Sequence, residues 1–152
     1  MVEGDVPTGG SKCTCQASEI LLFPCSGGYN CGQIANQAAV RLTEQGVARI
    51  YCLAGIGAHD KVMIDTGMAA KRVVALDGCA TACAKRALEH AGITVTDWVC
   101  VTDEGIAKNH DFKLASRDVA RIVRRVMESL SGEASEFSLA ERAERDGQYA
   151  VG

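Results

Sequence analysis

The chain has 152 residues, of which 47% are apolar and 23% are charged, so it is long enough for one globular domain with a hydrophobic core. Its net charge of -3 and isoelectric point near 5.6 lack the basic excess of a general nucleic-acid-binding protein. No apolar run approaches the roughly 18 residues of a membrane span, and MVEGDVPTGGSK lacks the apolar stretch of a secretory signal, so we expect a cytoplasmic protein with neither nucleic-acid nor membrane partners.

A polar tail and a strand come first. Residues 1–17 are polar and rich in glycine, which indicates a flexible tail. Cys13 and Cys15 in this tail could bind a second metal ion or have no role. EILLFPCSGG then predicts a buried strand that ends in a turn, because a short apolar run is broken by Pro24 and a glycine pair.

NCGQIANQAAVRLTEQG predicts an amphipathic helix. Asn30 and Gln33 stand three residues apart, as in a capping box, and Gly46 suits the end of the helix. One apolar stripe runs along it, formed by Ile34, Ala35, Ala38, Ala39 and Leu42.

The alternation of strand and helix continues. ARIYCLAGIG predicts a second strand that ends in glycines, KVMIDTGMAA a short helix or turn, and KRVVALDGC a third strand. ATACAKRALEHAG predicts a helix from about Ala80 to Gly92, TVTDWVCVT a fourth strand, and SRDVARIVRRVMESL a strongly amphipathic helix. The polar residues 132–152 predict a tail, or a last short helix capped by Ser138 and Glu141.

Short apolar strands that alternate with helices predict a parallel sheet with right-handed crossovers. Runs such as VVAL and ILLF suit burial on both faces of that sheet. We therefore predict one α/β domain over residues 18–131, with a three-layer, Rossmann-like parallel sheet of about four strands and flanking helices.

Cysteine is the most informative residue type in the chain, with eight copies: Cys13, Cys15, Cys25, Cys31, Cys52, Cys79, Cys83 and Cys100. In a reducing compartment these are expected to be metal ligands or redox thiols rather than disulfides. Four lie at or just beyond the carboxyl ends of three predicted strands, where functional groups gather in an open parallel sheet: Cys25, Cys52, Cys79 and Cys83. Packing of free cysteines as small hydrophobes is the competing interpretation.

Four thiolates around one ion form the closed tetrahedral site that structural zinc prefers. Around a divalent ion this site carries a net charge of about -2, which the start of the helix near Ala80 could partly compensate. Asp77 would orient a ligand through hydrogen bonds. Further N–H groups could come from the glycine turns, at Gly27, Gly28, Gly55 and Gly57.

Three motifs in this order resemble the DGC-domain family of bacteria and archaea: FPCSGGYNCGQIANQAAVRL, YCLAGIGA and LDGCATACAKRALEHAGI. The tripeptide that names the family is Asp77-Gly78-Cys79, and the resemblance covers roughly residues 20–115. By motif, the cysteines proposed as the family's metal ligands are Cys25, Cys52, Cys79 and Cys83. The resemblance implies a zinc-binding domain and no particular reaction, so it leaves open whether the protein is an enzyme.

Two alternatives use the same thiols. One is a thiol-based redox or sulfur-transfer enzyme with Cys25 as its reactive residue, in which Cys25 and Cys31 could form a redox pair. CSGGYNC is similar to the phosphate-binding loop of low-molecular-weight phosphatases, but that loop needs an arginine where Gly32 stands. The other alternative is an iron–sulfur protein, because four thiolates suit that cluster too.

Side chains outside the motifs are weaker candidates. Four polar residues in two loops could line the same cleft or bind an anionic substrate, with an ordinary solvated loop as the competing interpretation: His59, Asp60, Lys108 and His110. We expect Cys100 to lie in the core and Trp98 to pack.

Overall fold

The structure, a computed structural model, describes residues 19–132. Four strands form one sheet: β1 (Ile20–Pro24), β2 (Arg49–Ile50), β3 (Arg72–Asp77) and β4 (Asp97–Cys100). Their order is β2-β1-β3-β4, and every neighbouring pair is parallel. The predicted parallel sheet of about four strands is confirmed.

Helices cover both faces of this sheet, which confirms the predicted three-layer α/β architecture. They are α1 (Asn30–Glu44), α2 (Leu53–Gly57), α3 (Lys61–Ala69), α4 (Cys83–His90) and α5 (Ser116–Ser131), with a 3-10 turn at Val101–Glu104. On one face α1 and α5 pack together, and on the other face α2 packs against α4.

The core lies on both sides of the sheet because successive strand side chains point to opposite faces. In β1, Leu22 joins the cluster under α1 and α5, while Leu21 and Phe23 join the cluster under α2 and α4. In β3, Val74 and Ala75 divide in the same way. Full burial of one Leu, Phe or Val side chain stabilises the fold by about 1.5–3 kcal/mol. Because both faces of these strands are buried, the strands consist of continuous apolar runs.

The best-patterned helix, α5, follows its prediction closely. Its buried residues recur at helical spacing along one side, at Val119, Ile122, Val123 and Val126. Beyond its last turn, Gly132 adopts a left-handed φ of 80°, a conformation in which glycine has no steric penalty. Gly46 after α1 does the same with φ 71°, as predicted for the end of that helix.

The predicted capping box at the start of α1 is wrong. Tyr29 is the N-cap residue and makes no side-chain capping bond, and Asn30 lies inside the first turn. Asn30 is buried there, and its amide bonds to the loop at 107–109 instead. Gln33 donates to the carbonyl oxygen of Gly27 at 2.9 Å. Asn30 and Gln33, the two side chains of the predicted cap, therefore make their hydrogen bonds elsewhere.

Two predicted boundaries next to cysteines are also wrong. The second strand ends at Ile50, and LAGIG forms α2, because the Cys52 sulfur caps that helix by accepting from the Gly55 N–H at 3.4 Å. The helix expected from about Ala80 begins at Cys83, because Ala82 adopts a left-handed conformation with φ 53°. Cys79 and Cys83 therefore do not share the face of one helix.

The predicted tails, the short helix capped by Ser138 and Glu141, and the cysteine pair Cys13 and Cys15 lie outside the described residues. Among residues 19–132, no helix combines the length and the apolar character needed to cross a bilayer.

Candidate thiol and metal site

The carboxyl ends of the parallel strands meet at one edge of the sheet and bring cysteines with them. Pro24 at the end of β1 is in register with Leu76 of β3, and the Cys25 N–H donates to the Leu76 carbonyl oxygen at 2.9 Å. Cys79 follows β3 by two residues, and Cys52 follows β2 by two residues. Cys83 opens α4, which packs against α2 beside Cys52.

Two of the four predicted ligand thiols, Cys25 and Cys79, act electrostatically on a third, Cys83. Burial raises the pKa of Cys83, and the negative charges of Cys25, Asp77 and Cys79 raise it further. Arg86 opposes this effect only in part. Cys25, Cys79 and Cys83 thus form one neighbourhood of thiols. Within residues 19–132, however, no three Cys, His, Asp or Glu side chains are arranged as ligands around a common point.

Cys79 has the environment that most favours a thiolate. Its sulfur lies 3.4 Å from the Thr81 hydroxyl oxygen and 3.5 Å from the Lys108 ammonium nitrogen. The hydrogen bond with Thr81 lowers the pKa of Cys79 most; burial opposes this, and the contact with Lys108 lowers the pKa further. The contact also raises the pKa of Lys108. Thr81 is a site residue that the sequence interpretation missed.

Asp77 is the last residue of β3 and lies in the interior of the protein. It has no exposed surface, and its carboxylate accepts from the N–H groups of Ala84 at 2.7 Å and Lys85 at 3.1 Å, and from Trp98 Nε1 at 3.0 Å. Burial raises the pKa of Asp77, and these three hydrogen bonds counter part of that rise. Asp77 thereby fixes the amino end of α4, where Cys83 stands, and the predicted packing of Trp98 is confirmed.

The predicted glycines differ in their distance from the sulfur atoms. A Cβ added at Gly27 would lie 3.2 Å from the Cys25 sulfur, and the Gly55 N–H already bonds to the Cys52 sulfur. A Cβ at Gly28 or Gly57 would have no neighbouring atom within 4 Å. Their expected role in supporting metal ligands stays a prediction, as does that of Asp77.

The two remaining described cysteines are buried. Cys100 is 4% exposed, with its sulfur 3.3 Å from the Thr102 hydroxyl oxygen, so its predicted place in the core is confirmed. Cys31 is 1% exposed. Burial raises the pKa of Cys31, and the charge of Cys79 adds to the rise, which works against a reactive thiolate at this helix start. Pairing of Cys25 and Cys31 stays a prediction.

The four polar loop candidates differ in what they contact. Asp60 caps α3 by accepting from the Met63 N–H at 2.9 Å. The rings of His59 and His90 meet edge to face with centroids 5.4 Å apart. Lys108 is the loop residue that reaches a thiol. This contact joins residues 29 positions apart in the chain. The one sequence signal for it is that Lys108 stands in a loop at the same predicted edge of the sheet as Cys79.

Comparison with known proteins agrees with the motif resemblance. The family model of the DGC domain matches residues 21–126. The chain is also similar to the anaerobic and virulence modulator AnvM of Pseudomonas aeruginosa strain PAO1, with 28% identity over 102 residues, which cover 67% of this chain and 78% of AnvM. No solved structure matches.

Proposed function

We propose that this chain, which belongs to the DGC domain family, binds one zinc ion through the thiolates of Cys25, Cys52, Cys79 and Cys83. The role that we propose for the site is structural or regulatory, in metal handling or in the support of a partner. The name of AnvM describes a modulator, and four protein thiolates leave no open position for a catalytic water.

The observation that carries the proposal is the place of these cysteines at one edge of the sheet, with Cys25 and Cys79 just beyond β1 and β3 and Cys83 at the start of α4. Burial raises the pKa of Cys83, and the charges of Cys25 and Cys79 add to the rise, so thiolates on all three cysteines at once are unfavourable without a cation. A divalent ion would reverse that repulsion, since coordination deprotonates thiols outright.

The chemistry of the donor set fits zinc, because soft sulfur ligands and a closed site favour this ion. A bound ion would cross-link the ends of β1 and β3 to the amino ends of α2 and α4, where the four cysteines stand. Asp77 holds the α4 end in place, and Lys108 supplies positive charge beside Cys79. The proposal thus requires the four side chains to move together from the arrangement described above.

Elemental analysis of protein purified without oxygen tests this proposal. We expect about one zinc ion per chain, and loss of that zinc when Cys25, Cys52, Cys79 or Cys83 is changed individually to serine, because structural zinc sites use four protein ligands. Cys100→Ala serves as the control, since this thiol lies in the core. Zinc at 1,000 times its Kd should stabilise the fold by about 4 kcal/mol.

Three results would contradict zinc binding. They are a wild-type chain that holds no zinc after reconstitution, four serine variants that hold as much zinc as Cys100→Ala, and stoichiometric iron with inorganic sulfide in place of zinc. The last result would favour the iron–sulfur alternative.

A second candidate is thiol-based redox or sulfur-transfer chemistry, and the surroundings of Cys79 favour it. Thr81 and Lys108 lower the pKa of Cys79, whereas the sequence had pointed to Cys25. A chain that binds no zinc, but whose Cys79 reacts with a neutral alkylating reagent much faster than Cys100 at neutral pH, would support this candidate over zinc binding.

A further inference from the structure

One ammonium group from a distant loop lies against the thiol neighbourhood. Lys108 belongs to the loop between the 3-10 turn and α5, and its nitrogen lies 3.5 Å from the Cys79 sulfur. The same charge acts on Cys31, where it opposes part of the rise in pKa that burial causes. A flexible lysine on an exposed loop would not keep such a contact unless other groups fixed its path, because ordering this side chain costs up to about 2 kcal/mol of rotamer entropy.

Aromatic rings hold the side chain of Lys108 from one side. Its nitrogen lies 4.0 Å from the centroid of the Tyr29 ring, within the range of a cation–π interaction. The Tyr29 ring in turn packs against His110, with centroids 4.2 Å apart. Tyr29 is 38% exposed and is one of the few exposed large aromatic residues within 19–132. Its contact with Lys108 explains why an aromatic side chain stands at an exposed position.

The backbone on both sides of Lys108 is fixed by Asn30. The Asn30 Nδ2 donates to the Ala107 carbonyl oxygen at 2.9 Å, and its Oδ1 accepts from the Asn109 N–H at 2.7 Å. The Asn30 N–H also donates to the Asn109 carbonyl oxygen at 3.0 Å. Asn30 is 6% exposed, and a buried amide is costly unless it is bonded. The loop is therefore clamped at the residues immediately before and after Lys108.

We propose that Lys108 is a positioning residue of the thiol site, whose ammonium group compensates negative charge at the Cys79 sulfur. Asn30 fixes the backbone of Lys108, and Tyr29 guides its side chain. The inference deepens the proposed function, because it rests on Cys79 being one of the zinc ligands. A four-thiolate zinc site has an excess negative charge, and the partners around metal ligands tune affinity.

A comparison of two alkylating reagents on zinc-free protein tests for this local charge. Iodoacetate is anionic and iodoacetamide is neutral, so the ratio of their rates at Cys79 reports the electrostatic potential there and cancels the thiolate fraction. For Lys108→Met we expect the ratio to fall about threefold at low salt, the effect of one charge roughly 6 Å from the reagent in water. Fragmentation of the peptide 73–85 separates Cys79 from Cys83.

Three further variants define what a change in this ratio means. Lys108→Arg keeps the charge and should keep the ratio. Lys113→Met is the matched control, since Lys113 lies in the same loop and its ammonium makes no hydrogen bond or ion pair to the described residues. Tyr29→Ala should lower the ratio part of the way, and 1 M salt should abolish the difference between Lys108→Met and wild type.

Competition with a chelator then tests the metal-bound protein. We expect Lys108→Met to bind zinc about tenfold more weakly, at the low end of the range for residues around metal ligands because Lys108 is exposed. An unchanged reagent ratio, or equal effects of Lys108→Met and Lys113→Met, would overturn the inference. A wild-type chain that binds no zinc but shows the expected ratio would overturn the proposed function and leave the charge at Cys79 standing.

Discussion

Gly78 lies where two backbone segments of the thiol edge come into direct contact. A Cβ added at Gly78 would be 2.6 Å from the backbone nitrogen of Gly32, and one added at Gly32 would be 2.5 Å from the backbone nitrogen of Gly27. Both distances are shorter than a Cβ can adopt, and backbone atoms cannot rotate away as a side chain can. The contact holds the turn after β1 against the end of β3, next to Cys25 and Cys79.

We therefore expect Gly78→Ala to lower the free energy of unfolding by about 2 kcal/mol or more, as overpacking does. Gly28→Ala is the control, because a Cβ at that position meets nothing within 4 Å. Urea unfolding of the zinc-free proteins measures both values. Equal stability of the two variants would show that the backbones at Gly78 and Gly32 are not in contact.

An ion pair joins the far end of the sheet to the carboxyl end of α5. Arg72 of β3 and Asp97 of β4 make two hydrogen bonds, of 2.5 and 3.1 Å. Arg72 also donates to the carbonyl oxygens of Leu130 and Ser129, where a cation interacts favourably with the helix dipole. One guanidinium group therefore ties two strands to a helix end.

The ion pair between Arg72 and Asp97 also makes the stability of the fold depend on pH. Burial raises the pKa of Asp97, but hydrogen bonds from Arg72, Thr96 and Ser129 outweigh it, so the folded pKa lies below the ordinary value of 3.8. The unfolded chain then binds the proton more tightly. The stabilisation is present above about pH 4 and is lost as the pH falls through the folded pKa.

We expect Asp97→Asn to lower the free energy of unfolding by about 2 kcal/mol at pH 7, the contribution of hydrogen bonds to a charged group. Its stability should also fall less steeply than that of wild type between about pH 4 and pH 2. Asp65→Asn, which removes an exposed ion pair with Lys61, is the control and should match wild type within about 0.5 kcal/mol. Parallel acid unfolding curves of wild type and Asp97→Asn would contradict this account.

At the scale of the whole fold, the sheet divides the core of residues 19–132 into two clusters. Ile122 on α5 packs with α1 on one face, and Leu88 on α4 packs with α2 on the other. Both side chains are fully buried. Because the sheet lies between them, a cavity on one face should not reach the packing on the other face.

We expect Leu88→Ala to cost about 2–5 kcal/mol and Ile122→Val about 0.5–1.5 kcal/mol, with the double variant equal to their sum within about 0.5 kcal/mol. The pair Leu42→Ala and Ile122→Val lies in one cluster and should deviate more from additivity. Denaturant unfolding provides all these values. A larger deviation for the pair on opposite faces would mean that the two clusters form one core.

Local patterns in the sequence determined the order of the strands and longer helices along the chain, the parallel sheet and the apolar side of α5. Strands buried on both faces are continuous apolar runs, and burial along a helix recurs every 3.6 residues. Gly46 marked the end of α1 because its left-handed φ is a local property. The motifs also selected four cysteines at one edge of the sheet, and their zinc binding stays a prediction.

Only the tertiary structure decided which side chains meet at that edge. Lys108 reaches Cys79, Asn30 clamps the loop around Lys108, and Trp98 bonds to Asp77. These partners are separated by 21 to 79 positions in the chain. Hydrogen bonds and charges act through space, so contacts of this kind depend on strand order and register, which no short window of sequence contains.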